Sequence, residues 1–389
     1  MQTFTSMEYL YIDIANNFGL DKKNWNERIQ WTKDNLNNLE SLATQADNPC
    51  MFRAGVDALR KAQRNEPIGY GIHLDATASG TQWLSILTGD KLGASLCNVI
   101  NTGKREDSYT LIFNAMKKKV QLNSFKREDV KKAIMTSLYS SHQKPKELFG
   151  ENLPIFEQTM SEMMPEAWFL NRFFENAWNT QAIKYEWVLP DNFHASFKVK
   201  DLVKKEISFL GETHSFYVKE QMPTEKGRCL CPNVIHSLDG FVVREMVQRC
   251  SVDNSRAKKV LEGEEILGTC TDILQCLTLW NLYKESGYLS ARILNYIYTN
   301  TINLVDRAVI EELVSELPKK TFDILPIHDS FTVHPNYGND VRQQYIYIMY
   351  HMSKSDMLNF IFKQFNIRAR WKKPFDISKD ILNSEYALS

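Results

Sequence analysis

At 389 residues the chain exceeds what one small core organises, and two or three subdomains are expected. Its 43% hydrophobic and 24% charged residues are those of an ordinary globular protein, and Lys+Arg and Asp+Glu balance at 47 each, so no global charge points to a polyanionic partner. No run of about 18 apolar residues is present to cross a membrane, no leader follows Met1, and seven scattered cysteines lack zinc-ligand spacing, so a cytoplasmic protein with reduced thiols is expected.

Residues 1–70 read as a helical lead-in. Ser6 to Asn17 is amphipathic and closed by Gly19, Asn24 or Asn26 can cap a second helix, and Asp47-Asn48-Pro49 precedes a third over 50–64. Residues 71–106 open with a buried strand at 70–76, then a turn and a helix to about residue 97. Residues 107–180 hold helices at 107–122 and 126–140 and a stretch punctuated by Pro154 and Pro165. Over 181–249 alternation replaces the helical period, as at Phe197, Val199, Ile207 and Phe209, before a helix restarts at Pro232. Residues 250–320 are helical and rich in Leu, Ile and Tyr. In 321–389 a hairpin at 322–335 leads to a long helix at 338–366 and an irregular tail.

Two carboxylates about 250 residues apart end apolar, strand-like runs: Asp75 in Gly71-Ile-His-Leu-Asp75-Ala-Thr-Ala-Ser79-Gly80-Thr-Gln82, and Asp329 in Ile324-Leu-Pro-Ile-His328-Asp329-Ser-Phe331. Taken singly, each reads equally well as a turn residue. On neighbouring strand ends they would clamp two divalent metals about 4 Å apart, which stabilises both the attacking and the leaving oxygen of a phosphoryl displacement. Two basic stripes suit a phosphate-bearing partner: nine Lys or Arg over 117–146 and five over 363–373. A solvated helix face explains either stripe alone just as well. On the helix at 126–140, Arg127, Lys131, Met135 and Tyr139 recur every four residues and so share one slowly winding stripe. Cations beside a thioether and a phenol make a poor core face and a good surface for a nucleoside triphosphate.

Together these segments resemble the single-subunit RNA polymerases of the phage T-seven and mitochondrial type. Asp75-x-x-x-Ser79-Gly80-x-Gln82 is similar to motif A of that family, Arg127-x-x-x-Lys131-Lys132-x-x-Met135-Thr136-x-x-Tyr139 to motif B, and His328-Asp329-Ser330-Phe331 to motif C. Pro232-Asn233-x-x-His236-Ser237-x-Asp239-Gly240 and the tail Asp380 to Ser389 resemble two further family segments, the second its carboxyl-terminal foot. The resemblance implies an α+β right-hand polymerase fold, with a small antiparallel palm sheet, helical fingers and thumb-side helices. It implies two Mg²⁺ ions held by Asp75, Asp329 and the Ala76 carbonyl, with Arg127 and Lys131 gripping the triphosphate and Lys131 helping to protonate the pyrophosphate. Tyr139 would close the nucleotide pocket and sense the 2′-OH, Met135 would lie near base and sugar, Tyr109 would be an active-site tyrosine, and His236 would contact nucleic acid or the incoming sugar. Gly80 stands where related DNA polymerases carry a glutamate that blocks the 2′-OH, so NTPs, a DNA template and an RNA product are implied. A DNA polymerase or primase-like enzyme on the same palm, or an inactive scaffold subunit, are the competing readings.

Four departures from the family carry expectations of their own. No Asp-x-x-Gly-Arg motif precedes the aligned region, as if a second polymerase subunit supplied the amino-terminal part. In this the chain is similar to the larger subunit of the two-chain polymerases of N-four-like phages. Residues 250–320 look inserted, to brace the palm or to bind a partner. Ser140 follows Tyr139 where the family has glycine. The promoter-reading loop before the His236 segment looks shortened, which points to single-stranded or pre-melted DNA and to a single-stranded-DNA-binding recruitment factor.

Overall fold

The apolar runs ahead of Asp75 and Asp329 become strands of one antiparallel sheet. The computed structural model describes residues 1–119, 125–138, 142–225 and 229–389; Tyr139, Ser140 and Lys226-Gly227-Arg228 lie outside the described residues. Among the described residues the strands are β1 (Ile72–Asp75), β2 (Lys184–Val188), β3 (His194–Lys198), β4 (Lys200–Phe209), β5 (Glu212–Gln221), β6 (Ile324–Ile327) and β7 (Ser330–Val333). The sheet that matters for the site has the order β1-β7-β6, with Ile72 opposite Val333, Leu74 opposite Phe331 and Asp75 opposite Ser330. Alternation puts Ile72, Leu74, Ile324, Phe331 and Val333 into the core and leaves His73, Asp75, Leu325 and Ile327 on the other face.

The tail is less irregular than expected. Its last residues line up along the free edge of β1: Ser389 N–H donates to the Asp75 carbonyl at 2.9 Å, Asp75 N–H to the Ser389 carbonyl at 3.3 Å, and Thr77 N–H to the Ala387 carbonyl at 3.2 Å. Three residues are too few to announce such a pairing in sequence, and it exists only because β1 offers an open ladder.

Helices surround this sheet. The helix Ser6–Ala15 is capped by Thr5 with Glu8 reaching back, and Trp25–Asp34 by Asn24 with Glu27, so Asn24 is the cap of the two candidates. Gly19 turns the chain at φ +109°, where a Cβ would also sit 2.5 Å from an Asp47 carboxylate oxygen. Two expected single helices are each broken. The helix after Asp75 divides into Ser79–Thr88 and Lys91–Leu96 at Gly89, whose φ is +73°. The helix expected over 338–366 divides into Gly338–Lys354 and Met357–Gln364 at Ser355, which is extended. The groups freed there find partners far away in sequence. Lys373 Nζ donates to the Ser353 and Ser355 carbonyls, and Asp356 N–H to the Ser286 carbonyl at 2.8 Å. No local pattern signals such a break.

Residues 200–221 form a long hairpin. β4 and β5 pair along ten residues each, turning at Leu210 and Gly211, both at positive φ. The register places Val203, Val218, Ile207, Phe216 and Phe209 on one face, and Ile207, Phe209, Leu210 and Phe216 are exposed. Lys204-Lys205-Glu206 interrupts the period of two, although the alternation at Ile207 and Phe209 marks β4 as a strand in the sequence.

Residues 257–317 contribute a separate small core around Trp280, Ile293 and Leu313. Among the described residues no helix is long and apolar enough to cross a membrane.

Candidate active site

The hairpin between β6 and β7 turns in two residues, His328 and Asp329, with His328 at φ +57°. That tight turn puts Asp329 at the end of the sheet where β1 delivers Asp75. The two ends are tied directly, Ala76 N–H donating to the Asp329 carbonyl at 3.1 Å. Among the described residues neither carboxylate accepts a hydrogen bond or joins an ion pair. The remaining polar groups nearby are elaborately tied. Gln82, fully buried, donates through Nε2 to Thr77 Oγ1, the Cys97 carbonyl and the Ala387 carbonyl, and accepts from the Tyr345 hydroxyl at 2.9 Å.

Asp329 lines a cleft of about 480 Å³ together with Gly80, Tyr109, Met135, His236 and Asp239. Asp75 and Ala76 line an adjoining cavity of about 300 Å³ with Asp13, His73, Arg105 and Ser389. Asp329, Gly80, Tyr109, Met135 and His236 therefore share one space and Asp75 and Ala76 another, while Arg127 and Lys131 line neither. A Cβ on Gly80 would meet Ile235 at 3.7 Å and Leu138 at 4.0 Å, ordinary contact distances, so the glycine leaves real space in the cleft wall. Tyr109 is largely buried, and burial raises its phenol pKa. Lys131 stands beside it, with its ammonium 5.6 Å from the ring centre. The Arg127 guanidinium bonds Asp107 at 2.6 Å. His73 stands against Asp13 and His142 against Glu175.

Asp239 belongs to the segment Pro232 to Gly240, where the sequence assigns it no role. It sits on the helix Leu230–Cys250 and is mostly buried, with one oxygen left without a partner. Burial, then the nearby charge of Asp329, pushes its pKa up to about 7, against hydrogen bonds from Trp83 and Ser79. Between its ordinary value of 3.8 and about 7 the folded chain therefore holds a proton that the unfolded chain has released. Raising the pH through this window favours unfolding. In metal-free buffer, Asp239→Asn should flatten the fall in Tm over that window and raise Tm at pH 8. An unchanged slope in thermal melts would assign the dependence to other groups.

Residues 3–147 match the family model described as DNA-dependent RNA polymerase. A probable DNA-directed RNA polymerase of Gelasinospora sp. is 25% identical over 92% of this chain and 43% of its own length. The DNA-directed RNA polymerase of Pseudomonas phage phiKMV is 26% identical over 29% of this chain and 16% of its own. A mitochondrial DNA-directed RNA polymerase of Arabidopsis thaliana is 28% identical over 35% and 18% respectively. Over part of its length the chain is thus similar to DNA-directed RNA polymerases of a phage and of mitochondria. It spans under half the length of the Gelasinospora protein.

Among the described residues no group of three or more His, Cys, Asp or Glu could enclose an ion. Two uncommitted carboxylates and backbone carbonyls are hard oxygen donors, and they suit Mg²⁺, which takes one or two carboxylates and completes its shell with water and substrate phosphates. The sequence assigns no role to Asp107, which holds Arg127, or to Gln82, which holds Thr77 and the Ala387 carbonyl. Asp107 had a signal in Asp107-Ser-Tyr-Thr110, an N-cap ahead of a helix. Gln82 had none beyond its place near Asp75.

Proposed function

We propose that the chain catalyses DNA-templated RNA synthesis from NTPs. The observation that carries the reading is the pair of uncommitted carboxylates on tied strand ends, beside a cleft walled by Gly80, Tyr109, Met135 and His236. In this reading residues 71–106, 181–249 and 321–389 form the palm of a right hand, 107–180 the fingers, 1–70 the lead-in and 250–320 an insertion. Asp75, Asp329 and the Ala76 carbonyl would hold two Mg²⁺ ions, which when bound neutralise charge on the attacking and leaving oxygens. Lys131, exposed at the cleft rim, meets the triphosphate and offers a proton to the departing pyrophosphate. Met135 and Tyr109 pack the base and sugar, His236 contacts the sugar or nucleic acid, and Gly80 leaves room for a 2′-OH. Tyr139 is assigned the 2′-OH contact on the motif alone.

The test is Mg²⁺-dependent ribonucleotide incorporation on a single-stranded DNA template annealed to a short RNA primer, with dNTPs in competition. Extension from NTPs in preference to dNTPs supports the reading; preference for dNTPs favours a DNA polymerase on the same palm. A second polypeptide is part of the proposal. The exposed apolar face of the β4–β5 hairpin supports it, because a lone two-stranded ribbon with an apolar face is marginal in water. If the purified chain is monomeric and fully active, that part fails.

A further inference from the structure

We propose that residues 367–373 and Phe169 form a surface for single-stranded DNA outside the cleft, which, resting on the polymerase reading, holds the template strand. Five cations mark residues 363–373 in the sequence, and the structure sorts them by what they already do. Lys363 pairs with Glu285 at 3.0 Å. Lys373 donates to the Ser353 and Ser355 carbonyls. Arg368, Arg370 and Lys372 remain. All three are exposed, and among the described residues none joins an ion pair. Residues 367–373 follow the helix Met357–Gln364 and hold no helix, strand or turn. Ile367, Trp371 and Lys373 are partly buried, and the three cations stand out between them with the period of two of an extended chain. Successive cations then lie about 6.6 Å apart along the backbone, a repeat that suits the phosphates of an extended strand. The run is held in place. Asn359 accepts from Trp371 N–H at 2.7 Å and donates to its carbonyl at 3.0 Å, and Trp371 Nε1 donates to the Thr88 carbonyl at 3.2 Å.

Aromatic faces flank these cations. Phe169, on the helix Pro165–Asn176, is 58% exposed, and its ring centre lies 5.8 Å from that of Trp371. Phe375, two residues past Lys373, is 55% exposed. Exposed rings beside unpaired cations suit a ligand that carries both anionic groups and flat apolar faces. A single nucleic-acid strand has both, whereas a duplex hides its base faces in the stack and an acidic peptide has the charge without them. No acid falls within residues 363–375 to repel a phosphate. Of the two single strands that a transcribing enzyme handles, only the template has to be gathered from solution, which selects DNA. The surface also lies within reach of the cleft. The helix Ser79–Thr88 starts at the cleft wall, where Gly80 stands, and ends at Thr88 under the Trp371 indole, about 15 Å away. A strand leaving the cleft spans that distance in a few nucleotides.

The test is the fluorescence anisotropy of a labelled oligo-deoxythymidylate mixed with the full chain in EDTA, where no metal-dependent chemistry contributes. The triple variant Arg368→Gln, Arg370→Gln, Lys372→Gln should weaken binding by about tenfold or more at physiological salt. It should also lower the slope of log affinity against log salt by about 2, since each single-strand phosphate contact contributes about 0.7. Its Tm should match wild type, because the three side chains are exposed and unpaired. Phe169→Ala should weaken binding about fivefold or more with the slope unchanged, and Phe169→Tyr, which keeps the stacking face, should bind as wild type does. The proposal falls if the wild-type chain does not bind the oligomer, or if the triple variant keeps its affinity and slope. It falls equally if the triple variant loses as much affinity for a duplex of the same length or for polyglutamate, which makes the surface a site for any polyanion or for an acidic protein. A loss confined to oligo-uridylate assigns the surface to RNA and also overturns it. Primed NTP incorporation separates this outcome from the polymerase reading. If wild type incorporates NTPs and the triple variant binds oligo-deoxythymidylate as well as wild type, the polymerase reading stands and the surface is lost. If binding depends on these residues but nothing is incorporated, the single-strand surface stands and the polymerase reading is lost.

Discussion

Asp329→Asn should abolish Mg²⁺-dependent incorporation, lowering it by about 10³-fold or more, equivalent to about 4 kcal/mol of lost transition-state stabilisation. Folding should be spared. Asp329 accepts no hydrogen bond among the described residues, so an isosteric amide orphans nothing. Its charge also opposes that of mostly buried Asp239, so its removal relieves repulsion. Tm should therefore stay within about 3 °C of wild type, or rise slightly. Asp75→Asn should behave alike, because Asp75 is equally uncommitted and sits at the tied strand end. Incorporation assays and thermal melts on the same preparations check both variants. Loss of activity together with a collapse in Tm would make these carboxylates structural, and unchanged activity would remove them from the chemistry.

What the sequence disclosed follows from range. The hairpin around His328-Asp329 was legible because two short apolar runs flank a two-residue turn, and that is a local pattern. The helix Arg127–Leu138 was legible through its period and its charged stripe. The pairing of Arg127 was not, because its partner lies 20 residues away on another helix. The same holds for the bridge that Ala387 to Ser389 make to the open edge of β1, over 300 residues earlier. Ser355 breaks its helix although it is neither Gly nor Pro; the cause is Lys373 and the Ser286 carbonyl, which only the fold brings near. That Asp75 and Asp329 open on separate cavities is likewise a property of packing. Residue types name the chemistry of the site; distant hydrogen bonds decide which groups are available for it.

Gln82 is where this dependence should be measurable. Its amide nitrogen joins the Thr77 hydroxyl, the Cys97 carbonyl and the Ala387 carbonyl, so one side chain links the loop after Asp75 to the carboxyl-terminal segment that pairs with Asp75. Its oxygen accepts from buried Tyr345. Gln82→Leu conserves volume and removes every one of these bonds. The Cys97 and Ala387 carbonyls keep partners in Thr77, whereas the Tyr345 hydroxyl is orphaned, so the loss of stability should be about 2–3 kcal/mol. Incorporation should fall further than stability explains, by about 10²-fold in kcat, because a small shift of the strand end displaces a carboxylate that must meet a metal precisely placed against the substrate. Adding Tyr345→Phe separates the two effects: it removes the orphaned hydroxyl, so Tm should recover while kcat stays low. Melts and single-turnover rates on the single and double variants make the comparison. If kcat recovers together with Tm, Gln82 acts only through packing, and the carboxyl-terminal segment is not what holds Asp75 in place.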